Sequence, residues 1–430
     1  MSGLAADGVP VWGAGAGAVP RPALDGSVRT EVAIVGGGVA GLSSALHLAR
    51  AGLDVLLLES ARIGAGATGT SAGVVAPQLV RTTPAKVLRR LGRDRGTALL
   101  RFVAESGRHL FDLIDREGLA CDARPAGFLA PAAGQGAARR LDAVIEEWRG
   151  VRSDLSLLDA AEVAQATGCR GYGAAIHDAS GGAVDPLLLA RGLADLAEQA
   201  GARLHEASAV CAVEGGPGAW RLRTAGGEVL ARTVILAANG GNAALRHELR
   251  GSVLPLPVCE VATEPLPAEM RAAILPGGES MTDLETDVFS IRYAAGFRLV
   301  TAFPASDRLT HEAATAGVNA RLAAMLSVHR PLALDHVWQG TAWVNTDLLP
   351  RLVRVAEGLV AVQACNGRGL ATNVLIGREV ARSLGHLPGQ PLLALEPPRR
   401  VSGFLIARHL PRLILAAGLA TKKIRSAFTR

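Results

Sequence analysis

The sequence predicts an α/β chain, α+β overall, in which a parallel-sheet unit is interrupted by a second unit built on a mixed sheet. Three observations predict it. A strand, a glycine-rich turn, a helix and a second strand follow one another from Glu31 to Glu59. A meander of short alternating strands closes on a buried strand at 233–238, and a strand, loop and helix return only at 358–384. At 430 residues the chain can bury a large core and is too long for one simple domain.

Glu31-Val-Ala-Ile-Val35 is apolar after its first residue, as a short buried strand is. Gly36-Gly-Gly-Val-Ala-Gly41 follows at once, and Leu42, Ala45, Leu46 and Ala49 then recur at helical spacing up to Arg50. Gly52 stops the helix, and Asp54–Leu58 is a second strand that ends on Glu59 and Ser60. Each part has a physical task. Gly36 permits a tight turn, Gly38 lets backbone approach a pyrophosphate, and Gly41 allows close helix–strand packing. Around Val39 and Ala40 the helix N-terminus offers unpaired N–H groups to phosphate charge. Glu59, 18 residues after Gly41, is placed to accept hydrogen bonds from ribose hydroxyls. This is a Rossmann-like, dinucleotide-binding opening.

The sheet resumes much later. Pro186–Ala200 is an amphipathic helix on Leu188, Leu189, Leu193, Leu196 and Ala197. After 201–206, the strands 209–213, 219–224 and 228–232 form the meander, Thr233–Ala238 is buried, and Asn239-Gly-Gly241 turns. Gly358–Gln363 is another strand, 364–369 a loop and Leu370–Leu384 a helix.

Composition narrows the function classes. No apolar run reaches the ~18–20 residues that span a bilayer. Residues 1–27 lack a basic start with a continuous apolar stretch, so they read as an arm and not a leader. Five scattered cysteines suggest neither a disulfide framework nor a zinc site, and point to a reducing cytoplasm. No metal site is expected. The net charge of +6 is concentrated at one end: from Pro397 onward eight basic residues occur without an acid, which leaves the rest at −2. No aromatic-interleaved basic groove accompanies them, so nucleic acid is not an expected partner. With Leu413–Ala420 between its cations, the tail either lies on an anionic membrane surface or partner protein, or docks as a terminal helix on its own domain.

In their order and spacing these residues resemble the FAD-dependent oxidoreductases of the D-amino acid oxidase type, and within them the γ-glutamylputrescine oxidase-like branch. The resemblance runs from about Val11 to Leu387. It is carried by Trp12, the Gly36–Gly41 motif with Glu59, Ile63–Gly69, Gly181–Pro186 and Ile235–Gly240. Trp338-Gln-Gly340, Thr346-Asp347, Leu349-Pro350 and Cys365-Asn-Gly-Arg-Gly369 complete it. Three details depart from the pattern. Thr70 and Ser71 stand where an Arg-Asn pair is common, Arg368 replaces a histidine, and Leu349–Val353 lacks a glycine.

The resemblance implies FAD as cofactor, bound non-covalently, because the segments that carry an attaching His or Cys in relatives have neither here. It places Gly66, Ala67, Thr68, Ser71 and Ala72 near the flavin, although Thr68 and Ser71 would equally serve as caps of a turn. It sets Val210 against the adenine region, Ala238 and Asn239 at a strand end, and Gly367, Arg368, Gly369 and Leu370 along the flavin pyrimidine edge. It divides the chain into an arm (1–27), an FAD-binding domain (28–80, 183–250 and 337–392), a discontinuous mixed-sheet substrate domain (81–182 and 251–336) and a basic tail (393–430).

The chemistry implied is oxidation of a C–N bond in a small amine or amino acid. A hydride passes to flavin N5, and the resulting imine is hydrolysed. Such a reaction needs no obligatory general base, while a cation at the N1–C2=O edge would stabilise the reduced flavin; Arg368 is suited to that. Arg292 either binds a substrate carboxylate bidentately or is a surface strand residue, and Tyr293 either lines the pocket or packs in the core. Two other classes stay open. One is an NAD(P)H-dependent monooxygenase, although no Gly-Asp pair and no second G-x-G-x-x-G occur; the other is an electron-transfer subunit docking through its tail.

Overall fold

The computed structural model describes residues 8–13, 17, 19–285, 288–303, 310–363, 366–411 and 413. Residues 412 and 414–430 of the basic tail, which include Lys422, Lys423 and Arg425, and Cys365 lie outside the described residues.

Strand β1 (Gly26–Val35), helix α1 (Val39–Arg50) and strand β2 (Val55–Leu58) form the expected opening unit. β1 begins five residues earlier than its apolar run. Gly26–Thr30 pair with Gly227–Ala231, yet most of this half is exposed, so no hydrophobic pattern marks it. Helix α1 in turn begins inside the glycine motif, with Gly38 as its N-cap.

β1 and β2 sit in a nine-stranded sheet whose spine runs Leu395–Glu396, Arg351–Ala356, Leu359–Gln363, Gly227–Leu236, β1, β2, Arg203–His205. Gly227–Leu236 is one strand where the sequence suggests two. Its first half pairs antiparallel with Ala219–Arg223, its second half pairs parallel with Leu359–Gln363, and β1 runs parallel along nearly its whole length. Alternation assigns the two faces. Val32, Ile34, Val55 and Leu57 meet α1 and the helices Pro186–Gln199 and Gly369–Ser383, while Ala33, Val35, Leu56 and Leu58 meet Trp220, Leu222 and Val229 of the meander. Each fully buried Leu on these faces contributes about 1.5–3 kcal/mol.

Helix Arg93–Glu117, from the segment expected in the substrate domain, buries Leu99, Phe102, Leu110 and Leu113 in the α1 core. A second, eight-stranded sheet has the order Leu334–Val344, Leu254–Pro265, Arg298–Phe303, Ser290–Ala294, Ser280–Thr282, Phe128–Ala133, Tyr172–Asp178, Leu155–Asp159. The expected boundary at 337 is therefore displaced. Leu334–Val344 runs antiparallel to Leu254–Pro265 as far as Val344↔Leu254, so the chain returns to the first sheet only after Val344. Helix His311–Met325 covers one face of this second sheet with Ala314, Val318 and Leu322. Among the described residues no helix is long and apolar enough to cross a membrane.

Candidate active site

A cavity of about 1130 Å³ runs from the carboxyl ends of β1 and β2 to the second sheet. Its floor is the glycine motif. Gly36 has φ +111°, and a Cβ there would lie 2.8 Å from the Ala237 carbonyl oxygen, so only glycine makes this turn without strain. A Cβ on Gly38 would face the Thr68 hydroxyl at 3.2 Å, at the cavity wall. Gly41 does not line the cavity: its missing side chain is the space that lets α1 lie on the Gly36 carbonyl. The N-cap of α1, Gly38, has no side chain to offer, and the Thr68 hydroxyl accepts the Val39 N–H at 3.2 Å.

Val39, Ala40, Glu59, Ser60, Gly66, Ala67, Thr68, Ser71, Ala72, Val210, Ala238 and Asn239 all line this cavity, as do Gly367, Arg368, Gly369 and Leu370. Glu59 Oε2 accepts the Gly37 N–H at 2.6 Å, and Oε1 accepts from the Ala61 N–H and the Ser60 hydroxyl. The carboxylate thus ties the end of β2 to the glycine turn.

The loop 66–73 is held from above through its carbonyls. Trp12 Nε1 donates to Ser71 O at 2.9 Å and Trp338 Nε1 to Thr70 O at 3.1 Å, the two indoles meeting edge to face at 5.7 Å. Arg292 completes this clamp and corrects the sequence expectation. It is 1% exposed and does not line the cavity; Nη1 donates to Gly73 O and Val184 O, and the guanidinium lies 4.5 Å from the Trp12 ring centre. Burial pushes it down to about 9. Arg292 is therefore not a surface residue: the clamp occupies Nη1, and Nε and Nη2 are buried without a partner. Tyr293 alternates to the other face, donates to Ile274 O at 2.6 Å and packs in the core under helix His311–Met325. Neither residue lines the cavity.

Arg368 does. Asn366 and Gly367 both take positive φ, and this turn sets Arg368 as N-cap of the helix Gly369–Ser383. Its guanidinium lies over Phe128 at 5.4 Å and donates to Leu79 O at 3.3 Å. Burial lowers it to about 10, opposed by Asp178, so it remains a cation at neutral pH.

Sequence reasoning missed one residue here. Glu260 lines the cavity from the strand Leu254–Pro265, 7% exposed, with Oε2 unpartnered, and burial pushes it up to about 8. The available signal was a lone carboxylate in the apolar run Val258-Cys-Glu-Val-Ala262. Among the described residues no group of three His, Cys, Asp or Glu side chains is placed to hold a metal.

Comparison with known proteins decides what the glycine floor serves. The family described as FAD dependent oxidoreductase matches residues 31–383. The chain belongs to this family. It is 31% identical to the γ-glutamylputrescine oxidoreductase of Escherichia coli (strain K12), over 85% of this chain and 86% of that protein. Its fold resembles that of the glycine oxidase of Geobacillus kaustophilus (TM-score 0.71, 23% identity, 87% of this chain and 99% of that one). The L-proline dehydrogenase of P. horikoshii is also similar in fold (TM-score 0.68, 16% identity, 87% and 96%).

The FAD-dependent oxidoreductase has a cradle that fits its cofactor. The close approach at Gly36 and Gly38, the α1 N-terminus with glycine as its N-cap and the carboxylate at the end of β2 are the features a dinucleotide requires. Glu59→Ala removes the brace on Gly37 and, with it, the carboxylate expected to accept from a ribose. It is expected to weaken FAD retention by about 1–3 kcal/mol. Equilibrium dialysis against FAD checks this, and parental affinity in the variant would remove Glu59 from the ribose site.

Proposed function

We propose that this FAD-dependent oxidoreductase oxidises a C–N bond in a small amine or amino acid, with FAD held non-covalently. The observation that carries the reading is the continuity of the cavity, from the glycine floor past Arg368 to the face of the second sheet at Val258 and Glu260. A small substrate entering there lies between the flavin end of the cradle and a carboxylate. The E. coli relative, an oxidoreductase named for an acylated diamine, supports the same class.

Bound FAD supplies the hydride acceptor. The chain does the rest. The loop 66–73, held by Trp12, Trp338 and Arg292, walls the flavin end; Arg368 sets a fixed positive charge beside the helix N-terminus; and apolar Leu256 and Val258 exclude water from the substrate end. The free thiols of Cys121, Cys169, Cys211 and Cys259 support a cytoplasmic location. Exposed Leu405, Ile406 and Leu410 beside Arg408 support docking of the C-terminal segment on a membrane surface or partner protein.

An anaerobic titration of the holoenzyme with primary amines, acylated diamines and amino acids tests the reaction. At least one class is expected to bleach the flavin without NAD(P)H. Bleaching by NAD(P)H alone would overturn the proposal.

A further inference from the structure

Among the described residues, the other carboxylate side chains that are buried as a whole have partners. Asp178 is held by Arg152, Asp283 by the Tyr172 hydroxyl and the Phe289 N–H, and Glu379 by Arg378 and Arg382. Glu260 is the contrast. It lies opposite Ala302 on one side and Trp338 on the other, near the middle of its strand; the residue lines the cavity, and its Oε2 is buried without a partner. An unpartnered buried carboxyl is costly to folding, and such groups concentrate where a ligand completes them.

We infer that Glu260 receives the amino group of the substrate, its carboxylate binding the ammonium and taking one proton so that the amine is neutral when it is oxidised. This rests on the amine-oxidising reading above. The step is balanced: an N–H bond of the ammonium breaks, an O–H bond forms on Glu260, and the lone pair stays on nitrogen. The proton returns to solvent as product leaves. No other oxidant or reductant enters. Burial favours this exchange, because it turns an ion pair into two neutral groups.

The charged and titratable groups around it set its pH range. Arg292 faces it from Ser290–Ala294 and Arg321 from helix His311–Met325, while Asp283 and Arg368 line the same cavity. Arg292 and Arg321 pull the carboxyl down, and burial outweighs them, leaving it at about 8. Below that pH the group is protonated and cannot take a proton; above it the carboxylate is present. Flavin reduction by an amine is therefore expected to rise with pH through about 8.

The test uses the FAD-loaded full chain as parent, Glu260→Gln and Glu260→Asp, with two probes. The first is tert-butylamine, which has no hydrogen on the carbon beside nitrogen and so reports binding without oxidation. The second is an oxidisable primary amine, followed by anaerobic bleaching across pH. Glu260→Gln is expected to raise the tert-butylamine dissociation constant about tenfold or more. It should also abolish the limb near pH 8, with FAD content unchanged, whereas Glu260→Asp keeps the limb. A parent that does not bind tert-butylamine, or a Gln variant that keeps both its affinity and the limb, overturns the inference. If tert-butylamine binds through Glu260 while no amine bleaches the flavin, the amine site stands and the oxidative reading falls.

Discussion

Gly41→Ala is expected to abolish FAD retention and to destabilise the chain by about 3 kcal/mol or more, at the upper end of overpacking costs. An added Cβ would stand 2.0 Å from the Gly36 carbonyl oxygen and 3.4 Å from the Ala237 Cβ. The close neighbour is main chain, and it cannot swing away: the Gly36 N–H is bonded to Leu58 O at 2.9 Å and Ala237 N–H to Val35 O at 2.8 Å. The helix must therefore lift from the sheet. That moves its N-terminus away from the phosphates and opens the Leu42 and Leu46 contacts beneath it. Gly38→Ala is the control, since its Cβ meets only the Thr68 hydroxyl, at 3.2 Å. It should lower FAD affinity with a much smaller change in the stability of the apoprotein. Flavin content per polypeptide and apoprotein melting temperature measure both, and a Gly41→Ala protein with parental values of each would refute the packing role.

What could be read from the sequence follows the range of the interaction. Gly36, Gly38, Gly41 and Glu59 lie within one βαβ unit, where spacing alone carries the geometry, and the tight turn at Gly36 and the close helix packing at Gly41 are where the spacing puts them. Arg292 shows the opposite limit. Its partners Gly73 and Val184 are 219 and 108 residues away, and nothing local to Ile291-Arg-Tyr293 says that carbonyls from another unit will close over it. Its burial is legible only once Trp12 and the loop 66–73 are folded against the second sheet. Strand allocation failed for a related reason. The sequence boundary at 337 rested on the resemblance alone, and only the antiparallel register of Leu334–Val344 with Leu254–Pro265 assigns this segment to the second sheet. Glu260 needed that register too: alternation makes it face the cavity only after the sheet's two faces are known.

Arg368→Ala is expected to lower the flavin reduction potential and to slow flavin reduction by substrate, with substrate binding affected less. The argument begins with the turn at Asn366 and Gly367, which delivers Arg368 to the cavity wall at the N-terminus of a 15-residue helix. Both the guanidinium and the helix end are positive, so they favour the anionic, reduced form of a flavin whose pyrimidine edge lies there. The side chain is fixed by Phe128 and the Leu79 carbonyl, which restrict its swing toward solvent. Burial takes it down only to about 10, so its charge is constant through the neutral range. Loss of one charge-assisted hydrogen bond worth about 2 kcal/mol corresponds to roughly 40 mV for a two-electron couple. Arg368→His separates charge from shape. Imidazole titrates near 6.5, so the potential of this variant should approach the parent at low pH and the alanine variant at high pH. A spectroelectrochemical titration of the three proteins between pH 5.5 and 8.5 (roughly one unit or more either side of the imidazole value) makes the comparison, and an alanine variant with the parental potential would remove Arg368 from the flavin edge.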